Sequence, residues 1–428
     1  MKKIIFTIMI LQGVLLSATI ETVEIKGVKV PVIFEKDSTL PIASLEIIFQ
    51  NSGSIKDGNL SGIASFTSSM LNEGTKKLGS VMFAKKLEES AIHLSANNGL
   101  ETFSIELSSL KEKFDEGVDS FYTLLNDPNF SKKSFEKIKL LKLATIEKKK
   151  SDFDYIAKLG LKKLRYKDTP LENPSIGTSK SLNTLTLKDV ENFYKEHITL
   201  SRVAVVIGGD IELEEAKKSV KKLLSKMEVG TSEKLFEFDS SKKEELVEIV
   251  KDTKQAYIYF GSPFYLKVYD KDMYKSKVAG FILGSGGFGS RLMEEIRVKR
   301  GLAYSAYGRI SVNKSYSQFS GYLQTKLENQ EDAIKLVKEV VKEFVEKGVT
   351  KDELEQAKKF IIGSEPLRNE TLSSRLHRTF QEYYKGLELG DSQKELKMIE
   401  KLTLKELNDF IASHKEINSL SFSIVTKK

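Results

Sequence analysis

The chain has 428 residues, 68 basic against 60 acidic, and no cysteine. Its length exceeds one ordinary core and points to two domains of about 200 residues each. A net charge of +8, spread as Lys/Glu mixtures, reads as a solvated surface and argues against a nucleic-acid-binding face, while the missing cysteines exclude thiolate metal sites and cysteine catalysis.

Met1-Lys2-Lys3 is a short basic segment, Ile4 to Leu16 is almost wholly apolar, and Ser17-Ala18 supplies small residues. Residues 1–18 therefore read as a secretory signal, too short to span a bilayer, and the remainder is expected outside the inner membrane, in the periplasm. Strands follow at Thr22–Gly27, Val28–Glu35 and Ala43–Gln50. Helices are expected over Ile63–Leu71, Val81–Leu94, Phe114–Leu125 and Ser134–Lys150, with a strand at Thr102–Leu107. Thr186 opens a further helix in capping-box style, and Arg202–Gly208 reads as a buried strand.

The chain then repeats itself. Thr186-Leu-Lys-Asp-Val-Glu-Asn-Phe193, with His197 behind it, recurs about 217 residues later as Thr403-Leu-Lys-Glu-Leu-Asn-Asp-Phe410, with His414. Ser134–Lys139 corresponds to Glu353–Lys358, and Gly62 is matched to Gly280 at a similar offset. One duplicated domain is the simplest account. The expected units are 19–230 and 246–428, joined through the polar stretch Glu228–Glu245. In the second unit Ala256–Phe260 and Gln318–Thr325 read as strands, Gln330–Lys347 as an amphipathic helix, and Thr350 with Glu353 as a capping box. Leu420, Phe422 and Ile424 alternate with serines, the pattern of a half-covered strand. Mixed strands and helices of this kind predict an α+β fold, antiparallel sheets packed with helices.

The most distinctive stretch runs Gly284-Ser-Gly-Gly-Phe-Gly-Ser-Arg291-Leu-Met-Glu-Glu-Ile-Arg297-Val-Lys-Arg-Gly-Leu-Ala-Tyr304. Its layout predicts a flexible glycine loop, a short helix carrying Arg297 and ended by Gly301, and a strand from Leu302 to Val312 with Leu302, Tyr304 and Ala306 on one face. Gly284, Gly286 and Gly289 also satisfy G-x-G-x-x-G, but the next strand offers no acidic residue for a ribose.

The run GSRLMEEIRVKRGLAYSAYG resembles the second half of insulinase/pitrilysin-type zinc peptidases, the inverzincins that include mitochondrial processing peptidase. The resemblance covers most of the chain. It implies two duplicated α+β domains, with Arg297 and Tyr304 as the pair that binds substrate and transition state, and Gly284, Gly286, Gly287 and Gly289 as a loop over the entering peptide. Active members carry H-x-x-E-H on the first helix: two histidines bind zinc, the glutamate activates water, and a third ligand lies about 75 residues on. The matching stretch here is Gly62-Ile-Ala-Ser65-Phe-Thr-Ser68-Ser69-Met-Leu-Asn-Glu-Gly-Thr75. Ser65 and Ser69 replace the histidines, Ser68 the base, and Thr145 stands where the third ligand belongs, with Glu147 off register.

Serine hydroxyls are poor zinc ligands, so no metal is expected in this chain. His93, His197, His377 and His414 lack metal-ligand spacing, and no base is apparent beside the serines. The pattern resembles the zinc-lacking subunit of two-chain family members. It implies a heterodimer, inactive alone, in which a partner brings the zinc and this chain brings Arg297 and Tyr304 to an extended peptide. The other reading is a non-enzymatic scaffold or peptide-binding subunit of a larger complex.

Overall fold

A computed structural model describes residues 18–428; the expected signal at 1–18 lies outside them except for its last residue, Ala18. Among the described residues, eleven strands form two sheets. The first comprises β1 (Thr19–Ile25), β2 (Val28–Lys36), β3 (Ile42–Gln50), β4 (His93–Asn98), β5 (Thr102–Leu110) and β6 (Val203–Gly209), in the order β1-β2-β6-β3-β5-β4. The second comprises β7 (Leu246–Val250), β8 (Gln255–Pro263), β9 (Ala303–Val312), β10 (Ser317–Lys326) and β11 (Ser421–Thr426), in the order β7-β11-β8-β10-β9.

The duplication shows in the pairing itself. With β1 set aside, β2-β6-β3-β5-β4 and β7-β11-β8-β10-β9 are the same path, and in each sheet only the first pair is parallel. The repeated helices agree in detail. Thr186 and Thr403 both cap through reciprocal bonds with the residue three along, Asp189 and Glu406. Phe193 packs on His197 at 4.4 Å between ring centroids, and Phe410 on His414 at 4.5 Å. The Gly62–Gly280 match fails: Gly62 sits at φ 96° before its helix, whereas Gly280 is the last residue of the Met273–Gly280 helix, at φ −64°.

Each sheet buries one face against its own helices. The other face is covered by a helix from the opposite half. Leu376, Phe380 and Tyr384 of the Leu372–Lys385 helix pack on Ile33, Ile48, Ala204 and Val206 of the first sheet. The Phe153–Arg165 helix lies across β8 and β11 of the second. Neither helix was among the elements expected from sequence. This exchange explains why β6 is an unbroken apolar run, since Val203, Val205 and Ile207 face one layer and Ala204 and Val206 the other. It also corrects the half-covered reading of β11. Ser421 and Ser423 are fully buried, and Gly160 lets the crossing helix approach so closely that a Cβ there would meet the Ser423 Oγ at 2.2 Å. Arg375 ties the halves together, its Nε 2.6 Å from Glu35 and a terminal nitrogen 2.6 Å from Asp37.

The expected Val81–Leu94 helix stops at Glu89, because Ala91 takes φ 50° and redirects the chain into β4.

Candidate functional site

Ser65, Ser68 and Ser69 lie on the Ile63–Leu71 helix, whose N-terminus is fixed by Asp57: its carboxylate accepts from the backbone N–H groups of Gly62 at 2.7 Å and Ala64 at 3.0 Å. Ser68 and Ser69 donate to the Ser65 carbonyl at 3.0 and 2.9 Å, as helical serines commonly do, and the Ser68 hydroxyl also reaches the Asn98 Oδ1 at 3.4 Å. Lys142 reaches in from the Lys132–Lys149 helix and donates to Ser65 Oγ at 2.8 Å. Lys142 is buried. Burial pulls its amine down to about 8 against the attraction of Asp57, and burial pushes the Asp57 carboxyl up to about 7 despite its two backbone donors.

A group capable of acting as a base thus stands beside Ser65, where the sequence showed none. At neutral pH the Lys142 amine is mostly charged and donates to the serine, so it does not generate an alkoxide there. Thr145 is exposed and bonds back to the Leu141 carbonyl of its own helix at 2.8 Å, and the exposed Glu147 pairs with Lys150. Neither joins the serines. Lys142 and Asp57 escaped the sequence reading. The only signal was a lysine one helical turn before Thr145, inside a helix already rich in lysine.

Arg297 and Tyr304 do come together. The Arg297 guanidinium lies 4.5 Å from the Tyr304 ring centroid and 4.7 Å from that of Phe288, held between two exposed aromatics. Tyr304 is 81% exposed. It owes this to a bulge: opposite Leu323–Thr325, β9 spends an extra residue between Ala303 and Ala306. Tyr304 and the buried Ala306 consequently do not share a face, contrary to the sequence expectation. Gly301, at φ 61°, ends the segment carrying Arg297, as expected.

The neighbouring cations are all paired. Arg291 grips Glu353 through two bonds of 2.6 and 2.8 Å, and Lys299 and Arg300 both bind Glu295. Arg297 has no carboxylate partner among the described residues. The glycines divide. Gly284 is helical, not part of a loop, and a Cβ on it would strike the backbone of Gly308 at 2.6 Å, so packing demands it. Gly286 is closed in by Phe281, while Gly287 and Gly289 face open space and flank Phe288. No hydrogen bond or ion pair among the described residues links the serine group to Arg297.

The model of the insulinase family, peptidase family M16, matches residues 31–179, and that of the M16 inactive domain matches 184–361. A Helicobacter pylori protein named non-peptidase homolog YmxG is 45% identical over all of this chain and 99% of its own length. The chain belongs to the insulinase family. Among solved structures, a peptidase M16 inactive domain from Pseudomonas fluorescens superposes with a TM-score of 0.88 at 24% identity, covering 96% of this chain and 98% of that one. The periplasmic protease PqqL from Escherichia coli gives 0.75 at 14%, covering 96% of this chain and 48% of its own.

Within that family the zinc seat is the question. Here the seat offers three neutral hydroxyls and an ammonium ion, a donor set that does not fit zinc. The protein is a non-catalytic family member. Two of the histidines serve as packing: His414 stacks on Phe264 at 4.4 Å, and burial pulls His197 down to about 4, aided by Arg202, while His93 and His377 are exposed.

Proposed function

We propose that this chain is the zinc-lacking subunit of a heteromeric peptidase outside the cytoplasm, supplying Arg297 and Tyr304 to a peptide held against a zinc-bearing family member. The observation carrying this is the free Arg297 guanidinium. Its segment pairs every other cation with a carboxylate, yet Arg297 is held between two solvent-facing rings with no acid. A charged, planar donor kept unpaired and pre-oriented suits an incoming carbonyl or a developing oxyanion. The exposed Tyr304 ring lies beside it, turned outward by the bulge. The basic and apolar start of the sequence supports the compartment, as does the likeness in fold to PqqL, a periplasmic protease. No helix among the described residues is long and apolar enough to cross a membrane.

The name of the Helicobacter relative favours a second reading, a scaffold or peptide-binding subunit without peptidase function. Reconstitution separates the two. The chain is mixed with a zinc-bearing family member from the same cell, and peptide hydrolysis is compared for the native chain and Tyr304→Phe. Assembly without any gain in hydrolysis selects the scaffold.

A further inference from the structure

A cavity of about 410 Å³ lies between the Phe153–Arg165 helix and the polar face of the second sheet. Lys158, Lys162 and Arg165 recur at spacings of four and three, which places them on one helix face, and all three line the cavity. Arg309 faces them from β9.

Every hydrogen-bond partner of these four cations is neutral. Lys162 donates to the Asn173 carbonyl, Arg165 to the hydroxyls of Ser240 and Ser421, and Arg309 to Ser311 Oγ. Lys158 has no hydrogen-bond or ion-pair partner among the described residues. The nearest acids are engaged or distant: Asp154 accepts from Tyr259 and Gln324, and Glu245 acts on Arg165 only from beyond ion-pair range.

Arg165 is 1% exposed, and one of its terminal nitrogens is buried with no partner at all. A buried guanidinium without an anion is strongly unfavourable, and natural interiors pair such charges. Around the cations Tyr322 stacks on Tyr259 at 5.5 Å and packs against Tyr307 at 5.9 Å, giving flat apolar walls tipped by hydroxyl donors. The volume is that of a small-molecule site.

We propose that this cavity binds an oxyanion on a small organic stem, a carboxylate or a phosphate, with Arg165 and Arg309 as its principal partners. The proposal does not depend on the role of Arg297.

Calorimetric titration of the full chain with tri-alanine, tri-alanine amide and inorganic phosphate tests it. Tri-alanine or phosphate should bind, and the amide, lacking the anion, should not. Saturation by tri-alanine identifies a peptide carboxylate as the source; saturation by phosphate alone identifies a phosphorylated small molecule. Arg309 is exposed, so Arg309→Gln should fold normally and weaken binding at least about tenfold, the loss expected for one charge-assisted contact. Lys158→Gln should weaken it in the same direction. The proposal is overturned if neither anion binds below roughly 10 mM, if the amide binds equally well, or if Arg309→Gln leaves affinity within about twofold.

Discussion

The Nζ of Lys142 lies 2.8 Å from the Oγ of Ser65, the position to which the resemblance to zinc peptidases assigns a zinc-binding histidine. Lys142 comes from the helix that would supply the third ligand, one turn before Thr145. On the proposed match, a fixed ammonium sits where active members would hold a dication, with Asp57 as the nearby counter-charge.

Rebuilding the ligands should therefore not rebuild the metal site. The variant Ser65→His, Ser68→Glu, Ser69→His, Thr145→Glu should hold no stoichiometric zinc while Lys142 remains, because like charges at such range cost several kcal/mol at low effective dielectric. Adding Lys142→Ala should tighten zinc binding by at least about 100-fold. Metal analysis after dialysis decides it: one zinc per chain with Lys142 intact would show that the ammonium does not guard the seat.

Asp57 predicts a pH dependence whose sign follows from its raised pKa. Burial raises it to about 7 from the ordinary 3.8. Between these, the folded chain holds the proton more tightly than the unfolded chain, so Asp57 makes stability fall as pH rises from about 4 to 7 and has no further effect above. Asp57→Asn should remove this component. Denaturation midpoints across that range should slope less in the variant than in the native chain; parallel curves would mean that Asp57 ionises normally.

In a reconstituted peptidase, Tyr304→Phe should lower turnover by roughly 10²–10³, the loss seen when one oxyanion donor is removed. Arg297→Lys should also be damaging, since a point charge lacks the planar fork. Tyr307 is no neutral control, because it lines the cavity between the halves. Tyr269→Phe, on an exposed side chain, should be silent. Turnover within about twofold of native for Tyr304→Phe would sink the assignment.

Phe288→Ala should release one side of Arg297. An exposed cation–π contact contributes about 0.5–1 kcal/mol, so turnover of the complex should drop roughly two- to fivefold, with the stability of the free chain unchanged. Comparing turnover with denaturant midpoints separates positioning from packing.

Arg375→Ala leaves Glu35 buried without its partner and should destabilise the chain by roughly 3–5 kcal/mol. A compensating Glu35→Gln in the same chain should recover part of the loss. Chemical denaturation of the single and double variants measures the coupling, and a neutral Arg375→Ala would show that the helix exchange holds without this clasp.

The local chemistry of this protein was legible in its sequence. Thr186, Thr350 and Thr403 announce their capping boxes because the bonds join residues three apart. That Ser65, Ser68 and Ser69 share one short helix was legible for the same reason, since the flanking residues fix its register. Arg297 and Tyr304 were found through their spacing, but the bulge that turns Tyr304 outward depends on its pairing with β10. Only the tertiary structure revealed that Lys142 reaches Ser65, since 77 residues separate them. The same holds for the two exchanged helices. Leu376 and Phe380, or Leu161 and Arg165, carry a helical pattern that says a face is covered without saying by what. Serines 421 and 423 look solvent-facing until Gly160 is laid against them. Periodicity records burial along one element; which distant element does the burying is decided by packing between the halves.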